Sequence, residues 1–392
     1  MPTFQTARRI LIGPGVLEEL PREIRELQCR RALVVTDPGV FSAGMTSRVI
    51  DELAKNCLEV EVFDGIEGEP TLEVAEACLA TARAFSTEIV VGAGGGSCID
   101  VAKVAAVFFR SEGSVRDYTS SDLALKEGLP LVAIPTTAGT GSEATGIAIL
   151  IDSLENRKIG MTSPMLFPHL AVVDPDLMLT VPAPVTAYTG IDALTHAVEA
   201  YLSINATSVT DALAIKAVSL IGNALRVCFQ NGRNREARHA MAEGSLLAGM
   251  AFANAGVAAV HAFAYPLGAR YRVPHGVANA LMLLPVFNYN MQVCVDRASH
   301  IGDALGAAPE MVTGEMGAKR TLQALETLLR ELGIPQTLKE VGVREADLPD
   351  MAGEALRIER LLRNNPREIG YQEAIALYVQ AFSGFVPPVF AV

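Results

Sequence analysis

The 392-residue chain has no Cys-x-x-Cys pair, no excess of basic residues, and no internal repeat or low-complexity segment. Its six cysteines, Cys29, Cys57, Cys78, Cys98, Cys228 and Cys294, lie far apart. That spacing argues against a zinc knuckle or disulfide framework and for reduced thiols, as in the cytoplasm. Lys and Arg number 32 against 44 Asp and Glu, a formal charge of −12, so nucleic acid and anionic membrane surfaces are poor partners. Charged residues make up only 19% and hydrophobic ones 50%, which excludes a disordered tail or a coiled coil. The opening Met1-Pro2-Thr3-Phe4-Gln5 meets Arg8-Arg9 without an apolar run, so no signal peptide is expected. Gly244 to Ala269 lacks Asp, Glu, Lys and Arg over a length that could span a bilayer. Its Ala, Gly, Ser and Asn content, with His261 and Pro266 inside, reads instead as one buried core helix.

What remains is a compact globular chain, long enough at about 150 residues per domain for two domains. In the first half, short apolar runs alternate with helical stretches: Leu33-Val34-Val35, Val60-Glu61-Val62-Phe63, Ile89-Val90-Val91, Leu131-Val132-Ala133-Ile134 and Ala171-Val172-Val173. This pattern predicts an α/β domain with a parallel sheet. From about Thr186 helical periodicity dominates, as in Ile191 to Tyr201, Asp211 to Val227 and Leu322 to Leu332, and predicts an all-helical second domain. Val181-Pro182-Ala183-Pro184 punctuates the change and sets the expected domains at 1–183 and 184–392.

The strand Ile89–Val91 enters the run Gly92-Ala93-Gly94-Gly95-Gly96-Ser97 and then the helical stretch from Cys98. That order offers bare backbone N–H groups and a positive helix terminus to an anion such as a pyrophosphate, although a glycine cluster also suits a tight turn. Pro135-Thr136-Thr137-Ala138-Gly139-Thr140-Gly141-Ser142-Glu143 follows another apolar strand, so its hydroxyls emerge at the same carboxyl edge of a parallel sheet, where open α/β sheets bind ligands. Asp37 ends a third strand. There it can accept from a ribose 2′-OH and repel a 2′-phosphate, favouring NAD over NADP, or simply form an Asp-Pro turn with Pro38.

Only six histidines are present. Asp192 and His196, four apart in a helical run, share one face; His261 lies in an Ala-rich helix, and His275 follows fourteen residues later between Pro274 and Gly276. One carboxylate and three imidazoles suit Zn²⁺ or Fe²⁺ and leave room for a substrate oxygen. His169, His239 and His300 have charged or turn-like neighbours and are taken as outside any site.

Taken together, Gly94-Gly95-Gly96-Ser97-x-x-Asp100-x-Ala102-Lys103, Pro135 to Glu143, Gly190-x-Asp192-Ala193-Leu194-x-His196-x-x-Glu199 and His261-(x)₁₃-His275-Gly276 resemble the iron-containing (group III) alcohol dehydrogenases. The likeness extends from Ile12-Gly13-Pro14-Gly15 to Arg363-Asn364-Asn365-Pro366-Arg367. It implies a dehydroquinate-synthase-like fold, an N-terminal NAD-binding domain and an all-helical metal domain with the active site in their cleft. It also implies a cytoplasmic, NAD-linked alcohol dehydrogenase acting on a small alcohol or aldehyde, usually as a homodimer or larger assembly. By the same resemblance Asp192, His196, His261 and His275 hold Fe²⁺, with Zn²⁺ possible. NAD meets Asp37, Gly94, Gly95, Gly96, Ser97, Asp100, Thr136, Thr137, Thr140 and Lys158, while Ile147 and Phe252 line the substrate pocket.

Two departures stand out. Many members carry a second histidine four residues after the first in the third block, where this chain has Tyr265; with His275 it is the expected catalytic pair, the alcohol proton leaving either through the Tyr265 hydroxyl or by water and ribose hydroxyls. Tyr at this place also occurs in the related hydroxyacid–oxoacid transhydrogenases, the alternative activity. Where many relatives read Pro-Asn-Pro-Thr, this chain has Gly68-Glu69-Pro70-Thr71, which alters a ribose-side contact. A cyclase on the same fold would need a basic pocket, and the helical half has only Lys216, Lys319 and Lys339 among lysines. A non-catalytic NAD-binding protein would be expected to have lost metal ligands.

Overall fold

The structure is a computed structural model that describes residues 3–56, 58–111, 113–119, 125–155, 157–306 and 312–385. It divides into two compact units, Met1–Val181 and Pro182–Val392. Cys57 lies outside the described residues; the other five cysteines are free thiols.

The first unit carries strands β1 (Arg9–Ile12), β2 (Arg31–Val35), β3 (Glu59–Phe63), β4 (Ile89–Gly94), β5 (Leu131–Pro135), β6 (Ile147–Asp152), β7 (Arg157–Thr162) and β8 (Leu170–Val173). Its helices are α1 (Leu20–Arg25), α2 (Pro38–Ser42), α3 (Met45–Ala54), α4 (Leu72–Ala84), α5 (Gly96–Phe108) and α6 (Val115–Thr119). Six strands form a sheet in the order β1-β8-β5-β4-β2-β3, every neighbouring pair parallel. The inner strands are apolar without interruption because both faces are covered. Leu33 and Val35 pack on one face with Ala75, Leu79, Ala102 and Phe108, whereas Ala32 and Val34 pack on the other with Leu17, Leu20, Val49 and Leu53. From β2 the chain moves outward to β3, then returns to the far side of β2 with β4. The order therefore reverses between β2 and β4, the place where open α/β sheets open a crevice at the carboxyl ends of their strands.

All five expected strands are present. Three others had weaker signals. The edge strand β1 is half exposed, and β6 and β7 pair as an antiparallel hairpin in which only alternate residues, Ala148 and Leu150 among them, are buried.

The second unit is built from α7 (Ala183–Leu202), α8 (Ser208–Gln230), α9 (Arg235–Ala255), α10 (Ala259–Tyr271), α11 (His275–Asn290), α12 (Val295–Ala304), α13 (Gly314–Glu331), α14 (Leu348–Leu356), α15 (Glu359–Leu362) and α16 (Tyr371–Ser383). By length and composition α8 could cross a membrane. Its Ala214, Ala217, Val218, Ile221, Leu225 and Cys228 form a buried stripe at helical spacing, and the helix packs against α7, α9 and α12. The continuous helix expected over 244–269 is instead two, α9 and α10, bent by 103°. Gly256 between them holds a φ of +82°, a conformation that ends an α-helix and suits glycine.

Candidate active site

Several of the residues proposed from sequence gather at the carboxyl edge of the sheet. Helix α5 begins at Gly96, with Gly95 as its N-cap, so its first N–H groups open into the glycine loop. A Cβ on Gly94 would lie 2.5 Å from Cys98 Sγ, and one on Gly96 would lie 2.7 Å from Thr140 Cγ2. Side chains are thereby excluded from the loop, while Thr137 and Thr140 stand beside it. The Thr136 hydroxyl is buried and has no hydrogen-bond partner, a polar atom that a bound ligand can satisfy. Asp37 caps α2 by accepting from the Val40 N–H at 2.9 Å, and its other oxygen accepts from the Cys98 thiol at 3.3 Å. The Asp-Pro turn is therefore real, and it sets the carboxylate next to Gly94.

Asp100 and Lys158, expected at the cofactor, are turned to other partners. The buried Asp100 carboxylate accepts from Ser142 Oγ at 2.6 Å and the Ile149 N–H at 2.9 Å, tying α5 to β6. Buried Lys103 sits beneath it, donating to Ser142 Oγ, Thr145 Oγ1 and the Ile147 carbonyl. Burial pushes Lys103 down to about 8 and Glu143, in the same cluster, up to about 7. Lys158 pairs with Glu69 at 2.5 Å, so the altered Gly68-Glu69-Pro70-Thr71 segment supplies its counter-ion. Ile147 opens β6 and is half-buried.

In the second unit, the helical i, i+4, i+7 spacing puts Asp192, His196 and Glu199 on one face of α7. His261 comes from the first turn of α10 and His275 from the first residue of α11. Gly276 makes the approach of α11 possible: a Cβ there would lie 2.1 Å from the Tyr188 carbonyl of α7. The Nε2 atoms of His275, His261 and His196 stand 3.7, 3.8 and 4.0 Å from Asp192 Oδ1. Donors bound to one cation at about 2.1 Å in a tetrahedron lie roughly 3.4 Å apart, so a slightly opened version of that geometry fits these side chains.

Asp192, His261 and His275 each place a donor atom within 4.8 Å of the other two. His196 does not join that set, a difference from the four-ligand expectation. Its ring stacks on His261 at 4.7 Å and on Phe252 at 4.3 Å, which fixes its plane. Burial raises the Asp192 pKa, but His196, His275, His261 and the Asn279 hydrogen bond outweigh it and hold the carboxyl below the usual range. His275 is the open member, with its side chain 32% exposed against 4% for His261.

Two residues given no role by the sequence reading support this set. Glu199 Oε2 lies 2.6 Å from His261 Nδ1, and its oxygens also accept from the Ala258 and Val260 N–H groups, capping α10. With Nδ1–H so engaged, Nε2 presents its lone pair to a cation. Asn279 Nδ2 donates to Asp192 Oδ1 at 2.6 Å and lies 3.1 and 3.2 Å from the Nε2 atoms of His261 and His275. The buried Oδ1 of Asn279 has no partner, a second mark of a place built for something more than protein atoms. Their signals were spacing alone: Glu199 is seven residues after Asp192, and Asn279 four after His275. Tyr265, one helical turn after His261, has its ring 6.4 Å from that of His275, and its hydroxyl accepts from Arg360 at 3.1 Å. His169, His239 and His300 have other neighbours, the Leu131 N–H, Glu243 and Tyr201.

Comparison with known proteins decides among the chemistries this donor set allows. The iron-containing alcohol dehydrogenase profile matches residues 7–175, and the C-terminal profile of the Fe-containing alcohol dehydrogenase family matches 186–382. The chain belongs to the iron-containing alcohol dehydrogenase family. It is accordingly an NAD-dependent alcohol dehydrogenase that uses a bound metal, with a dehydroquinate-synthase-like fold. Among relatives, the dehydrogenase is 42% identical to long-chain-alcohol dehydrogenase 1 of Geobacillus thermodenitrificans over 378 residues, 96% of this chain and 95% of that one. It is 34% identical to the NAD-dependent methanol dehydrogenase of Bacillus methanolicus, covering 95% and 98% of the two chains. The crystal structure of a 1,3-propanediol oxidoreductase superposes with a TM-score of 0.94 at 37% identity, covering 97% of this chain and 100% of that one.

Proposed function

We propose that Asp192, His196, His261 and His275 hold the catalytic metal, Fe²⁺ or Zn²⁺, in residues 184–392, and that residues 1–183 bind NAD. The observation that carries the reading is the convergence of three histidine Nε2 atoms within 4.0 Å of Asp192 Oδ1. When bound, the cation supplies Lewis acidity to the alcohol oxygen and the nicotinamide accepts the hydride. Glu199 keeps His261 in the tautomer that can ligate, and Asn279 orients Asp192. The N–H groups of Gly94, Gly95, Gly96 and Ser97 hold the pyrophosphate, and the hydroxyls of Thr136, Thr137 and Thr140 add hydrogen bonds at the sheet edge. Asp37 accepts from the adenosine ribose. Asp100 braces the loop from behind, and Lys158 acts through its pair with Glu69.

His275 and Tyr265 handle substrate. Arginine only donates, so the Arg360 hydrogen bond occupies an acceptor site of the Tyr265 hydroxyl, the group assigned to pass the alcohol proton. Phe252, whose ring stacks on His196, is assigned to the small alcohol or aldehyde substrate, as is Ile147. The reading also carries a reducing compartment such as the cytoplasm, supported by five free cysteines, and a homodimer or larger assembly that sedimentation would measure. The test is NAD reduction by chelated protein reconstituted anaerobically with Fe²⁺, Zn²⁺ or nothing, over a panel of alcohols, diols and hydroxyacids. Metal restores activity in the native chain, whereas His261→Ala stays silent and still binds NADH by fluorescence. Metal-dependent turnover in that variant rejects the ligand assignment.

A further inference from the structure

Arg360 sits in the one-turn helix α15, half-buried, in the stretch Ile358-Glu359-Arg360-Leu361. Its guanidinium has five N–H donors, and among the described residues its side-chain hydrogen bond runs to the Tyr265 hydroxyl at 3.1 Å. Other arginines of this unit meet carboxylates: Arg270 with Glu354, Arg297 with Asp211, Arg226 with Glu331 and Arg344 with Asp347. Among the described residues no acidic side chain pairs with Arg360, and its neighbour Glu359 is exposed. A half-buried guanidinium with donors to spare can take up an anion.

Its place indicates which anion. Tyr265 is on the same face of α10 as His261, with its ring 6.4 Å from that of His275, and Arg360 donates to its hydroxyl. An anion on Arg360 therefore lies one phenol away from the metal-site histidines.

We propose that Arg360 is the anion-binding residue of the substrate site and that the physiological alcohol carries a carboxylate at its far end. The substrate class is an ω-hydroxy acid, or an aldehyde acid in the reverse direction. This rests on the metal-site reading above and narrows it to a substrate. A planar guanidinium fork matches a carboxylate through two parallel hydrogen bonds, and one positive charge balances a monoanion better than a phosphate dianion. The carboxylate is a spectator in the reaction: the C–H bond of the carbinol carbon breaks, its hydride passes to NAD⁺, the hydroxyl proton leaves, and the carbonyl forms.

The test uses metal-loaded enzyme with matched pairs: 4-hydroxybutyrate and 1-butanol, 6-hydroxyhexanoate and 1-hexanol. The native enzyme should favour the acid of at least one pair in kcat/KM. Arg360→Gln should lower the acid-to-alcohol ratio roughly 10- to 100-fold, chiefly through KM, with Arg360→Lys between. Butyrate binding measured by calorimetry should weaken in parallel with the loss at Arg360. An enzyme that prefers the neutral alcohol in every pair, or an Arg360→Gln variant that loses acid and alcohol equally, overturns the proposal. Silence toward every acid and alcohol would instead reject the metal-site reading, and the butyrate titration would still judge Arg360.

Discussion

Glu199→Gln is the sharpest probe of how the metal site is held. Both Glu199 and His261 side chains are 4% exposed, so water cannot replace a lost hydrogen bond. Glu199 Oε1 accepts from Val260 N–H at 2.6 Å, while Oε2 accepts from Ala258 N–H at 3.0 Å and faces His261 Nδ1 at 2.6 Å. All these positions call for an acceptor, and a carboxamide has only one acceptor oxygen. If its oxygen takes the Val260 side, its NH₂ confronts the Ala258 N–H and His261, and the imidazole must move its proton to Nε2, where it blocks metal ligation. If it turns the other way, NH₂ meets the Val260 N–H at 2.6 Å, and a charge-assisted bond of about 1.5–3 kcal/mol is lost. Loss of such a supporting partner weakens metal binding by roughly 10- to 100-fold, about 1.4–2.8 kcal/mol. Chelator-competition titration with Zn²⁺ reads the affinity, and thermal melting of the metal-free protein reads the capping loss. A variant that binds Zn²⁺ within twofold of the native chain would refute the tautomer argument.

The parts of the fold that were legible in the sequence are those in which burial acts on both sides of an element. Strands β2, β4, β5 and β8 are covered on two faces, so each reads as an unbroken apolar run. Hairpin β6–β7 is covered on one face and alternates, and β1 lies at an edge; their patterns were too weak to stand out. The break at Gly256 was hidden because glycine inside an Ala-rich stretch is compatible with a continuing helix until tertiary contacts select a positive φ. For the site, helical spacing made the Asp192–His196 pair visible, and a motif joined them to His261 and His275. Nothing local could show that Asp100 turns inward to Ser142 or that Lys158 meets Glu69, because these contacts join positions 42 and 89 residues apart. Arg360 escaped for the same reason: 95 residues separate it from Tyr265.

Asp37 both caps α2 and bears the charge assigned to cofactor choice, and Asp37→Ser separates the two roles. Serine keeps a cap for the Val40 N–H but carries no charge, so NADP should become a substrate, with the NAD-to-NADP ratio of kcat/KM falling at least about tenfold. An unchanged ratio would reject the assignment. The buried cluster of Lys103, Asp100 and Glu143 predicts how stability follows pH. Burial raises the Glu143 pKa from 4.5 to about 7, so between these values the folded chain holds a proton that the unfolded chain has released. Stability therefore falls as pH rises through that window, by up to about 3 kcal/mol for this group. Lys103 acts in the opposite sense at higher pH. With its pKa lowered from 10.5 to about 8, the folded chain gives up the proton first, and stability rises again from pH 8 to 10.5. The two slopes place a minimum in the cluster's contribution between about pH 7 and 8. Glu143→Gln should remove the acid-side slope and gain stability at pH 8 relative to pH 5 when compared with the native chain. Urea unfolding at the two pH values measures that difference, and an identical pH dependence in both proteins would show that Glu143 is already ionised in the fold.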